Sequence, residues 1–121
     1  MLIDSIAILD YLDRLVGIEK SLIPSGFEPR TTVMTQVGIL NGAMEKTVSA
    51  VYEVEKRPEE KIHRPWLEQL HQQTKDGREA VDKLAVTPWI NREKMTQADV
   101  SAVVFWDSIK HVRPNNVPIL E

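Results

Sequence analysis

The chain has 121 residues and a mass of 13.8 kDa, which is enough for one compact domain and short for two. With 42% hydrophobic residues, 27% charged residues and a net charge of −3, it can bury a core and offers no basic face for nucleic acid. The lack of cysteine excludes disulfides, cysteine-bound zinc and thiol nucleophiles. The longest apolar run, residues 102–106, is far below the roughly 18 residues of a membrane span. We expect a cytoplasmic protein without membrane or nucleic-acid partners.

Residues 5–16 are predicted to form an amphipathic helix. The apolar positions that share one face of this helix are Ile8, Leu12 and Leu15. Asp4 or Ser5 can accept hydrogen bonds from the first free N–H groups, and Gly17 stands where a left-handed residue ends a helix. Residues 18–28 show no sustained period and are predicted to form a loop.

A long helix is predicted to start at Pro29, because proline suits the first helical position. Its predicted core-facing residues are Val33, Val37, Leu40, Met44, Val48 and Val51. A second face, small and polar, comprises Gly38, Gly42, Glu45, Ser49 and Tyr52. Two glycines inside a helix cost about 1 kcal/mol each relative to alanine. This face therefore predicts close packing by another helix or subunit, or else the wall of a ligand cleft to which Tyr52 contributes a hydroxyl.

A third helix is predicted to begin near residues 59–60 and to end near Val86. The residues of its narrow core-facing stripe are Leu67, Leu70, Thr74, Gly77, Val81 and Leu84. A loop follows, in which Trp89 and Ile90 are expected to act as apolar anchors.

Residues 96–99, Thr-Gln-Ala-Asp, have the form of a capping box. In this motif the Thr96 hydroxyl accepts from the Asp99 N–H, and the Asp99 carboxylate accepts from the Thr96 N–H. The helix that follows is apolar over most of its circumference in 102–106, so it is predicted to be the buried central helix. Together the elements predict an all-α helical bundle.

No residues form a pattern typical of a catalytic or metal site. His63 and His71 would lie about 80° apart around an ideal helix with Pro65 between them, which is poor geometry for a shared metal. The adjacent carboxylates at 59–60 belong at a helix end, where solvation explains them. We therefore predict no metal site.

Three segments, in this order, resemble the C-terminal helical domain of the cytosolic glutathione transferase superfamily. Residues 2–12, LIDSIAILDYL, are similar to the segment in which that family's thioredoxin-like domain ends. Residues 22–24, LIP, and the Pro-Arg start at 29–30 are similar to its interdomain linker and the first helix of its helical domain. Residues 95–100, MTQADV, resemble the capping box of its central helix. The run between residues 52 and 67 resembles bacterial transferase-like proteins.

The resemblance implies a domain organisation. Residues 1–17 would be the last helix of a thioredoxin-like domain, 18–28 the interdomain linker, and 29–121 a helical domain truncated at its end. Asp4 and Ser5 would be a remnant of the glutathione site, where the serine hydroxyl and helix N-terminus bind the γ-glutamyl end of glutathione. The alternative for this pair is a plain helix cap.

The family's thiol-activating residue lies in the part that this sequence lacks, so no catalytic residue is assigned. The residues expected to line a hydrophobic substrate cleft or a dimer interface are Met34, Gly38, Gly42 and Tyr52. Thr96 and Asp99 would secure the fold. The complete protein would be a homodimer that conjugates glutathione, its co-substrate, to hydrophobic electrophiles. The second hypothesis is a helical protein–protein interaction module without catalysis.

Overall fold

The computed structural model of the chain describes residue 1 and residues 3–84 and 88–112. This part of the chain contains four α-helices and no strand, so the all-α prediction is confirmed. The helices are α1 (Ser5–Leu15), α2 (Phe27–Glu55), α3 (Arg64–Leu84) and α4 (Gln97–Val112), with short 3-10 turns at Ile18–Lys20 and Glu59–Lys61. Among these helices none is long and apolar enough to cross a bilayer. The predicted helix end near Val86 lies outside the described residues.

Helix α2 begins at Phe27, two residues before the start that we predicted at Pro29. Gly26 caps it with extended backbone, and its carbonyl accepts from the N–H of Arg30 at 2.9 Å. Proline is still well placed here, because N–H groups in the first turn of a helix have no carbonyl to bind within it. Helix α3 also begins later than expected, since residues 59–61 form a separate 3-10 turn before Arg64.

Helix α2 is the central element of the bundle, because α3 and α4 both pack along it. The buried residues of α2 are Val33, Gln36, Val37, Leu40, Ala43, Thr47, Ala50 and Glu53. The prediction that Val48 faces the core is wrong, since 41% of this residue is exposed. Helix α3 packs so closely on α2 that a Cβ added at Gly77 would lie only 2.6 Å from the Cβ of Ala43. Small residues such as Ala43 therefore occupy the side of α2 that faces α3, and Val48 lies on another side.

The interface between α2 and α3 combines apolar packing with satisfied hydroxyl groups. Leu67 and Leu70 of α3 are buried with Ala50 of α2 in one cluster. The hydroxyls of Thr47 and Thr74 lie 3.3 Å apart, and each is also 3.0 Å from the carbonyl oxygen four residues earlier. These polar atoms are therefore buried without loss of hydrogen bonding.

Helix α4 is not the buried central helix that we predicted. The helix packs along α2, and its buried residues are Gln97, Ala98, Ser101, Phe105 and Ile109. Val103, Val104 and Trp106 are exposed, with 62% of Val103 accessible. Because α4 packs mainly against α2, only one side of its apolar circumference finds cover in the described part of the chain.

Helix α1 forms where it was predicted but buries none of its residues. The helix is followed at Gly17 by a left-handed residue with φ +79°, as expected. The apolar stripe of α1 consists of Ile8, Leu12 and Leu15, whose exposed fractions are 39%, 47% and 68%. The helix thus lies against the bundle without contributing to its core.

Candidate functional site

The N-terminus of α1 carries the pair that the sequence assigned to glutathione. Asp4 immediately precedes Ser5, the first helical residue, and its Oδ1 accepts from the N–H of Ile6 at 2.8 Å. Asp4 has φ 80° and ψ 133°, a conformation that residues other than glycine rarely adopt. Both side chains of the pair are exposed. In the structure Asp4 caps α1, and the exposed pair stands at the positive end of the helix dipole.

Two acidic residues at the other end of α1 attach this helix to the rest of the chain. Asp10 accepts from Nε of Arg14 at 2.9 Å and from a terminal nitrogen of Arg30, on α2, at 2.8 Å. The hydrogen bond from Arg14, followed by that from Arg30, holds the pKa of Asp10 below its usual range despite some opposing desolvation. Asp10 therefore stays ionised at neutral pH and links the two helices.

Asp13 binds the loop that follows α1, a role that the sequence analysis missed. Its Oδ1 accepts from the backbone N–H of Leu22 at 2.6 Å and of Ile23 at 3.2 Å, and its Oδ2 lies 2.6 Å from Oγ of Ser21. The available signal was the spacing of Asp10 and Asp13, which puts both carboxylates on one side of α1. Beside Asp13 lies an open cavity of about 350 Å³.

The residues predicted to form a substrate cleft or dimer interface differ in how exposed they are. Met34 and Gly42 are half-buried, whereas Gly38 and Tyr52 are exposed. A Cβ added at Gly38 or Gly42 would meet no atom within 4 Å, so no other element of the described chain packs closely against these glycines. The close helix contact occurs at Gly77 instead. Gly38 and Gly42 present an open face of α2.

Tyr52 lies in a different part of the molecule from α1. It lines a cavity of about 550 Å³ at the C-terminal end of α2. The buried carboxylate of Glu53 shapes this end by accepting from Arg57 Nε at 2.9 Å and from the N–H of His63 at 3.0 Å. Arg30, which contacts α1, is roughly 33 Å from Tyr52 along the axis of α2. Tyr52 therefore does not share one small-molecule site with the α1 end of the helix.

The predicted capping box has an altered hydrogen-bond pattern. Asp99 Oδ2 accepts from the Thr96 N–H at 2.8 Å, and the Thr96 hydroxyl donates to the same oxygen at 3.0 Å instead of accepting from the Asp99 N–H. Asp99 Oδ1 accepts from the N–H of Ile90 at 2.8 Å. The Asn91 amide nitrogen donates to Thr96 Oγ1 at 3.1 Å and to Gln36 Oε1 on α2 at 3.0 Å. Asp99 thus fixes both the start of α4 and the preceding loop.

The remaining features give no sign of metal chemistry. Among the described residues, no group of three or more His, Asp or Glu side chains could hold a metal ion. Burial lowers the pKa of His71. A mainly apolar cavity of about 230 Å³ lies between α2, α3 and α4 and is lined in part by Leu40, Phe105 and Trp106. The guanidinium carbon of Arg78, Cζ, lies 5.7 Å from the centre of the Trp106 ring.

The chain is similar to two crystal structures of glutathione transferase family members from Pseudomonas fluorescens Pf-5, one with bound glutathione and one with bound S-(propanoic acid)-glutathione. Each match has 26% sequence identity and a TM-score of 0.77. The matches cover 94% and 95% of this chain but only 54% and 57% of the crystallised chains, so this chain spans little more than half of their length. No protein-family model matches the sequence, and no curated protein is significantly similar to it. The resemblance found in the sequence is thus confirmed: this chain has the all-helical fold of the C-terminal domain of the glutathione transferase family.

Proposed function

We propose that this chain is the helical substrate-binding part of a cytoplasmic glutathione transferase-like protein. The complete protein would be a homodimer that conjugates glutathione to hydrophobic electrophiles. The observation that carries the proposal is the uncovered apolar stripe of α1, which precedes a helical bundle with the fold of this family. A further layer of protein is needed to cover that stripe.

The physical argument begins with the size of α1. An isolated helix of 11 residues is marginal in water, and most helical stability in proteins comes from packing of the apolar face. The described chain covers Ile8, Leu12 and Leu15 only in part, since none of the three is buried. A thioredoxin-like domain ending in residues 1–17 would bury the stripe, with 18–28 as the linker and 29–121 as the helical domain.

The same organisation gives Asp4 and Ser5 a chemical role. Conjugation begins when the glutathione thiol loses its proton, and the thiolate then attacks the electrophile. The Ser5 hydroxyl and the N-terminal N–H groups of α1 would bind the γ-glutamyl carboxylate, and the Asp4 carboxylate would meet its ammonium group. No residue of this chain is proposed to activate the thiol, so the pair binds and orients glutathione only.

The electrophile would lie against the part of α2 that is nearest to α1 along the helix axis. Met34 is one helical turn beyond Arg30, which contacts Asp10 of α1, and the open glycine positions 38 and 42 follow on later turns. A face without Cβ atoms admits a ligand or a second subunit close to the backbone. Tyr52, at the far end of α2, fits the dimer interface better than the substrate cleft.

The alternative function is that of an interaction module without catalysis. A specific observation favours it: apolar side chains are exposed on α4 as well as on α1, with Val103 and Val104 on the side of α4 away from α2. Large apolar surfaces of this kind mark protein–protein contacts. A partner protein would then cover both helices, and glutathione would have no role.

Kinetics of the protein purified from its own cells test the proposed function. We expect glutathione-dependent conjugation of an activated aryl halide, and a Ser5→Ala variant whose KM for glutathione rises about tenfold because one hydrogen bond to the charged γ-glutamyl group is lost. The matched control is Ser108→Ala, which removes a hydroxyl that donates to the Val104 carbonyl of its own helix and contacts Met44 Sδ of α2. If the purified protein forms no conjugate at millimolar glutathione, the transferase proposal is wrong.

A further inference from the structure

One residue of the loop after α1 is bound from two sides. Leu22 donates its N–H to Asp13 Oδ1 of α1 at 2.6 Å. Its carbonyl oxygen accepts from the N–H of Gln97, the first residue of α4, at 2.9 Å. A single residue therefore joins the end of α1 to the beginning of α4.

Asp13 is the stronger of the two attachments that hold α1. It accepts from two backbone N–H groups, and the second of these belongs to Ile23, whose side chain is buried. The other attachment, Asp10 with Arg30, joins side chains that are each about one-third exposed and is therefore screened by water and salt. Because α1 buries no residue, these two carboxylates contribute strongly to its position.

From the start of α4 the hydrogen bonds continue toward α2. Gln97 directly follows Thr96, whose N–H and hydroxyl both donate to Asp99. Asp99 also accepts from Ile90, and the neighbouring Asn91 exchanges hydrogen bonds with Gln36 of α2. The network therefore runs from α1 through Leu22 and the α4 cap to the central helix.

We propose that Asp13 couples the docking of α1 to the N-terminal cap of α4 through Leu22. When Asp13 releases the loop, Leu22 shifts and its carbonyl withdraws from Gln97, which loosens the cap. A change in the docking of α1, such as one caused by a partner that covers its apolar stripe, therefore alters the hydrogen bonds of the α4 cap and their connection to α2. The coupling rests on the described contacts alone and holds whether or not the chain serves a transferase.

Amide hydrogen exchange of the full chain, resolved by residue, tests the coupling. In Asp13→Ala the side chain loses its charge and both carboxylate oxygens, which accept from Ser21, Leu22 and Ile23. We expect the amides of Leu22 and Gln97 to exchange at least about tenfold faster than in the wild type, and the remote amide of Ile90 to exchange about threefold faster. The amides of Ala50 and Leu70 should keep their wild-type rates.

The matched control is Glu19→Ala, which removes a carboxylate from an exposed residue of the 3-10 turn after α1. This variant should exchange like the wild type. Faster exchange at Leu22 with wild-type rates at Gln97 and Ile90 would overturn the proposal, because the role of Asp13 would then be local. Equal acceleration at Ala50 and Leu70 would also overturn it, because the substitution would then destabilise the whole bundle.

Discussion

Helices α1 and α2 both carry an apolar stripe at helical spacing, yet they are held in the structure by different forces. Helix α2 buries eight residues between α3 and α4. Helix α1 buries none and is attached through the carboxylates of Asp10 and Asp13. An amphipathic pattern thus predicts which face of a helix is suited to burial. It does not predict which other element packs against that face.

The strongest test of this contrast truncates one leucine in the packed bundle and one leucine in α1. Leu70→Ala should lower the free energy of unfolding by about 2–5 kcal/mol, because Leu70 is fully buried beside Ala50 and Leu67. Leu12→Ala should lower it by only about 0.5–1 kcal/mol, since about half of Leu12 is already exposed on α1. Urea denaturation of both variants provides the measurement. A large loss for Leu12→Ala would show that α1 is packed after all.

Two glycine substitutions test the same contrast within the bundle. Gly77→Ala should destabilise the protein by about 1–3 kcal/mol, because the new Cβ would lie 2.6 Å from that of Ala43. Gly38→Ala should stabilise it by about 0.5–1 kcal/mol through helix propensity, since no atom lies within 4 Å of the new methyl group. Thermal unfolding of the isolated chain distinguishes the two signs. Destabilisation by Gly38→Ala would indicate a close partner on that face.

Removal of the carboxylate that caps α4 should have an intermediate effect. Asp99→Ala should cost about 0.5–2 kcal/mol, because it leaves the N–H groups of Thr96 and Ile90 without their acceptor. Chemical denaturation measures the loss. Wild-type stability of this variant would mean that the cap contributes nothing to the bundle.

The smallest effect concerns the pH dependence of α1. The lowered pKa of Asp10 means that the folded state favours its ionised form more than the unfolded state does. This contribution is complete above the ordinary aspartate pKa and is lost as pH falls through the lower folded value. Amide exchange in α1 should therefore accelerate only in strong acid, and Asp10→Asn should remove that pH dependence. The same acid dependence in Asp10→Asn would assign it to another group.

Local sequence patterns predicted the helices of this chain but not their pairing. The end of α1 at Gly17 follows from the residue itself, because glycine readily adopts a left-handed backbone. The buried side of α4 could not be predicted, since the sequence of 102–106 is apolar all round and only the position of α2 selects one face. Gly77 was placed in the core-facing stripe of α3, but its contact with Ala43 is a property of two helices together.

The candidate site could be predicted in part, for similar reasons. Asp4 and Ser5 stand at the start of a helix that the apolar period defines, so their place at its N-terminus followed from sequence. Tyr52 was grouped with Gly38 by helical angle alone, which ignores the distance along the axis. The spacing of Asp10 and Asp13 put both carboxylates on one side of α1, but the loop partners of Asp13 were missed because two of them are backbone N–H groups, which side-chain identity does not reveal.

We propose that a further domain of the same polypeptide covers the apolar stripe of α1 and completes the glutathione site at Asp4 and Ser5. The most direct test is the intact mass, under denaturing conditions, of the polypeptide that carries this sequence in its own cells. We expect a mass above 13.8 kDa by roughly one domain of about 100 residues. A mass of 13.8 kDa would contradict the claim.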